Sequence, residues 1–527
     1  MLFAALFGWQ QLAIISTILL YLYYRLTRNY SYWSSRSING PKPLPILGTM
    51  WQMFQKPAFQ INLDNRKTYG NLYGTYLGTR PVLVLTDPQL IKDVNIKDFN
   101  IFVDRNDLIN FNDPIADRAL FTAMGDKWKS LRSVISPTFS SGKMRAMHPI
   151  IIECVKRLDR YLSDKKEIEM TTTMSKMTMD VIVRCAFGNE IDTYDEQRTH
   201  DFIVYSRRLL SANWRTLLTF IVGAISQDLL QWSGLKLIDP AVETFFRSAI
   251  KTIVDKRRAD GSGPKHKDYI QLMIDARNKT SLSSDNNKEV DDNIINSDEI
   301  FTKTAKSSSV DKHFADIKGE VDDDDVLANS IIFLVAGYDT SSMALSFLFY
   351  ALALHPDCQQ KLYDEIKRFD NQYDYETIAK MSYLEACVAE TLRVYNPIST
   401  VGRMAAREYT VGDTGITVPK GMLIMCDIQS LHRNPEYFPD PDRWNPERFM
   451  PYNRDKLVPY TYMPFGLGPR NCVGMRFALM EMKTAVAYLI TRYRFIQTAN
   501  TTIPLTYAKY DFLLRPCAVN IGIERRL

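Results

Sequence analysis

Hydrophobic positions along the chain fall into three kinds of run. Residues 2–24 carry no charged side chain, and 23 residues at a helical rise of ~1.5 Å reach about 35 Å, enough to cross a bilayer. The pattern predicts a single N-terminal transmembrane helix within an anchor of residues 1–28. The tyrosines and arginines that follow (Tyr21, Tyr23, Tyr24, Arg25, Arg28) suit a retained anchor rather than a cleaved leader. With no basic residue before the segment and Arg25 and Arg28 after it, the C-terminal side is expected in the cytosol. A second kind of run alternates: 72–77 and 81–85 read as paired strands around Gly78-Thr79, and Asp87-Pro88 starts a short helix. A third has helical period, from about 126 to 258; within it 217–232 is apolar enough to lie against lipid, an ordinary core helix being the equal alternative. The run 326–354 is longer and almost wholly apolar. The interruption Gly337-Tyr338-Asp339-Thr340-Ser341-Ser342 makes a membrane crossing costly there, and predicts a buried central helix with a functional kink.

The polar stretches divide the rest. Residues 29–48 read as a linker ending in Gly40-Pro41-Lys42-Pro43-Leu44-Pro45-Ile46-Leu47-Gly48, whose alternating prolines predict a stiff, extended hinge. Residues 278–325 are polar, acidic and without apolar period, which predicts a disordered surface loop closed by Asp322 to Asp325 at the start of the next helix. That loop carries −7 of charge, so the net +5 of the chain conceals a body of +12. A basic body suits an anionic membrane surface or an acidic protein partner. The basic residues are dispersed and no recognition motif accompanies them, so no nucleic-acid partner is expected. The 527 residues show no internal repeat, which leaves residues 49–527 as one large catalytic domain. Seven scattered cysteines argue against a disulfide framework and for a reducing compartment.

Six of those cysteines read as small buried hydrophobes. Cys472 does not. It lies in Phe465-Gly466-Leu467-Gly468-Pro469-Arg470-Asn471-Cys472-Val473-Gly474, which runs into an apolar helical stretch. A thiolate that ligates haem iron needs a polar, helix-N-terminal setting, and glycines let backbone approach a flat macrocycle and point N–H groups at sulfur. The ten residues resemble the haem-binding signature of the cytochrome P-450 family, with Phe465, Gly468, Arg470, Cys472 and Gly474 each in its expected place. Ala336-Gly337-Tyr338-Asp339-Thr340-Ser341 resembles the same family's oxygen-activation motif, and Glu390-Thr391-Leu392-Arg393 with Arg448 resembles its structural ion-pair cluster. Ser136 to Lys143, Asp268 to Asp275 and the ligand loop look most like the clan of vertebrate drug-metabolising monooxygenases, thromboxane synthase and insect detoxification enzymes, and the hinge resembles the proline-rich hinge of the family's microsomal members.

The resemblance implies a mostly α (α+β) fold, a helical haem domain with small β-sheets preceded by the transmembrane helix. It implies haem b with Cys472 as axial ligand, Trp128, Arg132, Arg403 and Arg470 around the haem propionates, and Phe465 and Gly474 shaping the ligand loop. Thr340 is expected to orient bound oxygen and Asp339 to feed protons to it. Ile332, Ala336, Ile398 and Val401 are expected to line a pocket. The implied activity is insertion of one oxygen atom from O2 into an apolar xenobiotic, steroid or fatty acid, with electrons from NADPH through a membrane-bound cytochrome P-450 reductase, or cytochrome b5, at the endoplasmic reticulum membrane. An isomerase or dehydratase of lipid peroxides and a non-catalytic haem- or lipid-binding membrane protein stand as alternatives. Two departures are visible: a longer acidic insertion than usual, and Asp339 where close relatives commonly have Glu.

Overall fold

The computed structural model describes residues 2–105, 113, 115–195, 201–210, 214–236, 238–259, 268–277, 321–509, 511 and 513–526. Most of the expected acidic loop, 278–320, lies outside the described residues.

The fold is built around the helix Asp323–Leu354. Its start follows from the aspartate run: Asp322 caps the N-terminus, its side chain accepting from the Asp325 N–H while the Asp325 side chain accepts from the Asp322 N–H. That reciprocal box and the acidic first turn both answer the unpaired N–H groups and the positive end of the helix dipole. Arg118 and Lys127 add ion pairs to Asp325, tying the helix start to the segment that precedes Gly125–Ile135 and to that helix itself. The helix packs against Met170–Phe187, Ser382–Val394 and Met475–Ile490. It runs unbroken through residues 337–342. The expected interruption appears instead as side-chain intrusion into the ladder: Thr178 Oγ1 donates to the Tyr338 carbonyl at 2.9 Å, and Ser342 and Ser346 bond back to the preceding turn. Met170–Phe187 packs closely at Gly337, since a Cβ there would stand 2.8 Å from Ile182 Cδ1.

The structure corrects the expectation of a single N-terminal transmembrane helix. Leu2–Thr27 is α-helical and its side chains from Trp9 to Tyr24 are exposed. Among the described residues, the one helix long and apolar enough to cross a membrane is mid-chain, Asp323–Leu354. Such a helix supports membrane association by composition, yet 72% of its apolar window is buried inside the protein, as a central helix should be. The hinge also differs: the chain doubles back between Leu44 and Gly48, which exchange N–H···O bonds of 2.8 Å in both directions, so the prolines do not hold this stretch extended.

Strands Leu72–Leu77, Arg80–Leu85, Leu423–Asp427 and Thr400–Met404 form one sheet in that order, antiparallel except where Arg80–Leu85 runs parallel to Leu423–Asp427. A three-stranded sheet joins Glu167–Glu169, Asn520–Arg525 and Tyr493–Ile496. Residues 217–232 form parts of two short helices, Trp214–Ile225 and Gln227–Ser233, with Trp214 72% and Trp232 85% exposed. Those exposures favour the lipid-facing reading over a core helix.

Behind the site, Glu390 and Arg393 are three residues apart on one helix and fully buried. They form paired N–H···O bonds of 2.7 and 2.8 Å. Arg448 approaches Glu390 Oε1 at 3.3 Å, and the Asn445 N–H donates to the same oxygen at 2.8 Å. The sequence-expected cluster therefore assembles. Removing one member would leave a buried charge uncompensated, at a cost of about 3–5 kcal/mol.

Candidate functional site

The cysteine loop is shaped by backbone contacts that only its glycines permit. Gly468 has φ +70°, and a Cβ there would fall 1.9 Å from the Asn95 carbonyl oxygen. Before the loop, the Met463 N–H donates to His432 Nε2 at 2.9 Å, and His432 is held neutral, its pKa pushed down to about 3 by burial and then by the neighbouring Arg393. The Cys472 N–H donates to the Phe465 carbonyl at 2.9 Å, closing the loop on itself. Gly474 then caps the helix Met475–Ile490. The Cys472 side chain is exposed, yet burial is the largest influence on its thiol and raises its pKa. The Gly474 N–H, Arg132 and Arg105 pull the other way, toward thiolate.

The central helix presents its accessible face to the same region. Ala336 is exposed and Thr340 half-buried in a helix otherwise largely packed away, and Phe333, Ala336 and Thr340 share a face by helical spacing. Phe139 stacks on Phe333 with ring centres 5.5 Å apart, and its ring lies 3.8 Å from where a Cβ of Gly474 would stand. One side chain therefore connects the Thr340 face to a residue two beyond the cysteine. Ile332, Ile398 and Val401 are half-buried, compatible with a lining role.

Cations surround the loop. Arg470 is buried and spends its donors on the carbonyls of Val103, Phe121 and Ala123, with its guanidinium 4.4 Å above the Trp128 ring. Trp128 thus supports Arg470. Arg132 grips the residue before the cysteine, donating to the Asn471 carbonyl and side-chain oxygens at 2.9 Å each. Arg403, on Thr400–Met404, is buried; it donates to the Gly402 carbonyl, and its Nε has no partner. Arg105, which no motif spacing singled out, joins them: it donates to the Arg470 carbonyl at 2.9 Å and its Nε is unpartnered. Burial, and for two of them mutual repulsion, depresses these guanidinium pKa values to about 9 for Arg105, about 8 for Arg470 and about 10 for Arg403. Asp104 lies 3.8 Å from Arg470.

Asp339 is placed differently from expectation. Both its oxygens accept from Arg515, at 3.1 and 2.7 Å, and the Thr340 hydroxyl turns back to the Ala336 carbonyl at 2.7 Å. The two relay candidates are adjacent on one helix but are not joined by a hydrogen bond.

The cytochrome P450 family model matches residues 38–304 and 301–521. The chain belongs to the cytochrome P450 family. It is 33% identical to cytochrome P450 3A6 of Oryctolagus cuniculus over 94% of this chain and 93% of that one. Identity is 34% to cytochrome P450 3A9 of Rattus norvegicus (95% and 93%) and 32% to cytochrome P450 6k1 of Blattella germanica (94% and 93%). By this membership it is an enzyme, a haem-thiolate monooxygenase of the P450 type.

The P450 prosthetic group, haem, can be tested against the residues present. It demands a reachable thiol, an open backbone beside it and cations for two propionates. Cys472 supplies the first, and the space beside Gly474, where even a Cβ would meet Phe139 only at an ordinary 3.8 Å, is compatible with the second. Arg105, Arg132, Arg403 and Arg470 gather positive charge at the loop, the kind of donor set that two carboxylates would use. The donor set fits.

Proposed function

We propose that this P450 inserts one oxygen atom from O2 into an apolar organic molecule, a xenobiotic, steroid or fatty acid, with NADPH as the electron source through a flavoprotein reductase. Cys472 would hold haem b as its axial ligand, and Arg105, Arg132, Arg403 and Arg470 would hold the propionates. When bound, that group supplies oxygen activation, which a thiolate ligand favours by donating electron density. The chain's own contribution is placement and protons. Phe465, Gly468 and Gly474 fix the thiol, the Ala336–Thr340 face leaves room over it, and the Thr340 hydroxyl is the donor on that face. The 32–34% identity to 3A and 6k1 P450s supports the clan reading. We place the enzyme at the endoplasmic reticulum membrane, its exposed Trp214 and Trp232 turned to lipid and its basic surface available to a reductase or cytochrome b5.

The observation that carries this reading is the exposed Cys472 in a glycine-shaped loop, with Arg105, Arg132, Arg403 and Arg470 gathered around it. The test is the carbon monoxide difference spectrum of the reduced protein, wild type against Cys472→Ser. A strongly red-shifted Soret band that the mutation abolishes is the expected result. Its absence from folded, haem-loaded wild type would remove Cys472 as ligand and the activity with it.

A further inference from the structure

Arg515 belongs to a hairpin-like segment remote in sequence from the central helix. The segment is closed by the Ala508 N–H on the Arg515 carbonyl and the Cys517 N–H on the Thr506 carbonyl, both 2.9 Å, and is pinned to the stretch that follows Ser382–Val394 by the Leu514 N–H on the Pro397 carbonyl at 2.8 Å. From there Arg515 holds two carboxylates at once. It takes both oxygens of Asp339, and its Nε donates to Asp511 at 2.8 Å. Asp339 is buried at 3% side-chain exposure and Asp511 at 8%, whereas Arg515 is 24% exposed. The guanidinium is the most exposed member of the trio.

We propose that Arg515 is a positioning residue that withholds Asp339 from Thr340 and releases it by shifting onto Asp511. The proposal rests on the monooxygenase reading above. A carboxylate engaged by a bidentate guanidinium has its strongest acceptor sites occupied and is a poor proton carrier. Asp511 gives the cation a second perch, so leaving Asp339 does not strand a positive charge in a poorly solvated place. Thr340, now bonded to its own helix, is the next residue along and gains a partner only when Asp339 is free. Timing matters because oxygen transfer consumes two protons with two electrons: one oxygen atom enters the substrate and the other leaves as water. Protons supplied out of step let the same electrons and protons leave with dioxygen as hydrogen peroxide, and no oxygen is transferred.

The test uses the full haem-loaded chain with reductase, NADPH and a substrate that the wild type turns over. Arg515→Gln is expected to raise the share of NADPH electrons recovered as hydrogen peroxide several-fold, with the carbon monoxide spectrum intact, and Arg515→Lys to restore part of the coupling. Asp511→Asn keeps the oxygen that accepts from the Leu513 N–H but removes the second perch; it is expected to lower kcat several-fold with KM unchanged, and it covers the case in which Arg515→Gln does not fold. Independently of turnover, the infrared spectrum of ferric Arg515→Gln is expected to gain a protonated-carboxyl band that disappears on adding Asp339→Asn. Wild-type coupling in Arg515→Gln and wild-type kcat in Asp511→Asn, or no such band, would overturn the latch while leaving the monooxygenase reading standing. Loss of the carbon monoxide band in wild type would overturn both.

Discussion

Glu481 lies on the helix that follows the cysteine loop, fully buried, and neither oxygen receives a well-formed hydrogen bond. Burial pushes its pKa from 4.5 up to about 8, and the Ser341 hydroxyl only partly offsets this. The folded chain therefore keeps a proton that the unfolded chain releases above about pH 4.5. Stability contributed by this site falls as pH rises from there to about 8, and is flat beyond. Glu481→Gln is expected to flatten that part of the Tm–pH curve and to raise Tm relative to wild type at pH 8; parallel curves would show that Glu481 is ionised in the folded state. Cys472, Arg470 and Arg132 were legible because motif spacing marks them. Glu481 and Arg105 were not, since burial and an unpartnered Nε are properties of the packed chain and leave no trace in spacing. Asp339 was legible as an acid, but its partner stands 176 residues away, beyond any local pattern.

At the scale of elements, the Gly468 turn is the tightest constraint on the site, because left-handed backbone and the Asn95 carbonyl both exclude a side chain. Gly468→Ala is expected to cost on the order of 1–3 kcal/mol from backbone strain alone, with more from displacing Asn95. Urea unfolding measures it, and a loss below ~0.5 kcal/mol would mean the loop rearranges freely. The central helix was readable because a long apolar run with an acidic start and a capping pattern has few other solutions. Residues 217–232 were ambiguous for the opposite reason: an apolar run tells how much surface must be hidden, but not whether protein or lipid hides it. For the N-terminal segment, an absence of charge did not decide the matter: among the described residues, the helix that is long and apolar enough to cross a membrane is the mid-chain one.

At the scale of the whole molecule, the exposed Trp214 and Trp232 lie on neighbouring short helices and give the protein an apolar surface that does not depend on the central helix. Replacing both with serine is expected to reduce co-sedimentation with phosphatidylcholine vesicles without altering the carbon monoxide spectrum; unchanged sedimentation would assign membrane affinity to other surfaces. The large sheet has a consequence in time. Arg80–Leu85 lies beside Leu423–Asp427 with Val82 opposite Leu423, roughly 340 residues later. At a synthesis rate of ~5–20 residues per second, that edge waits roughly 20–70 s for its partner to leave the ribosome. Throughout that interval a row of valines and leucines stands as an open strand edge, free to pair with another chain before it has anything to do with oxygen.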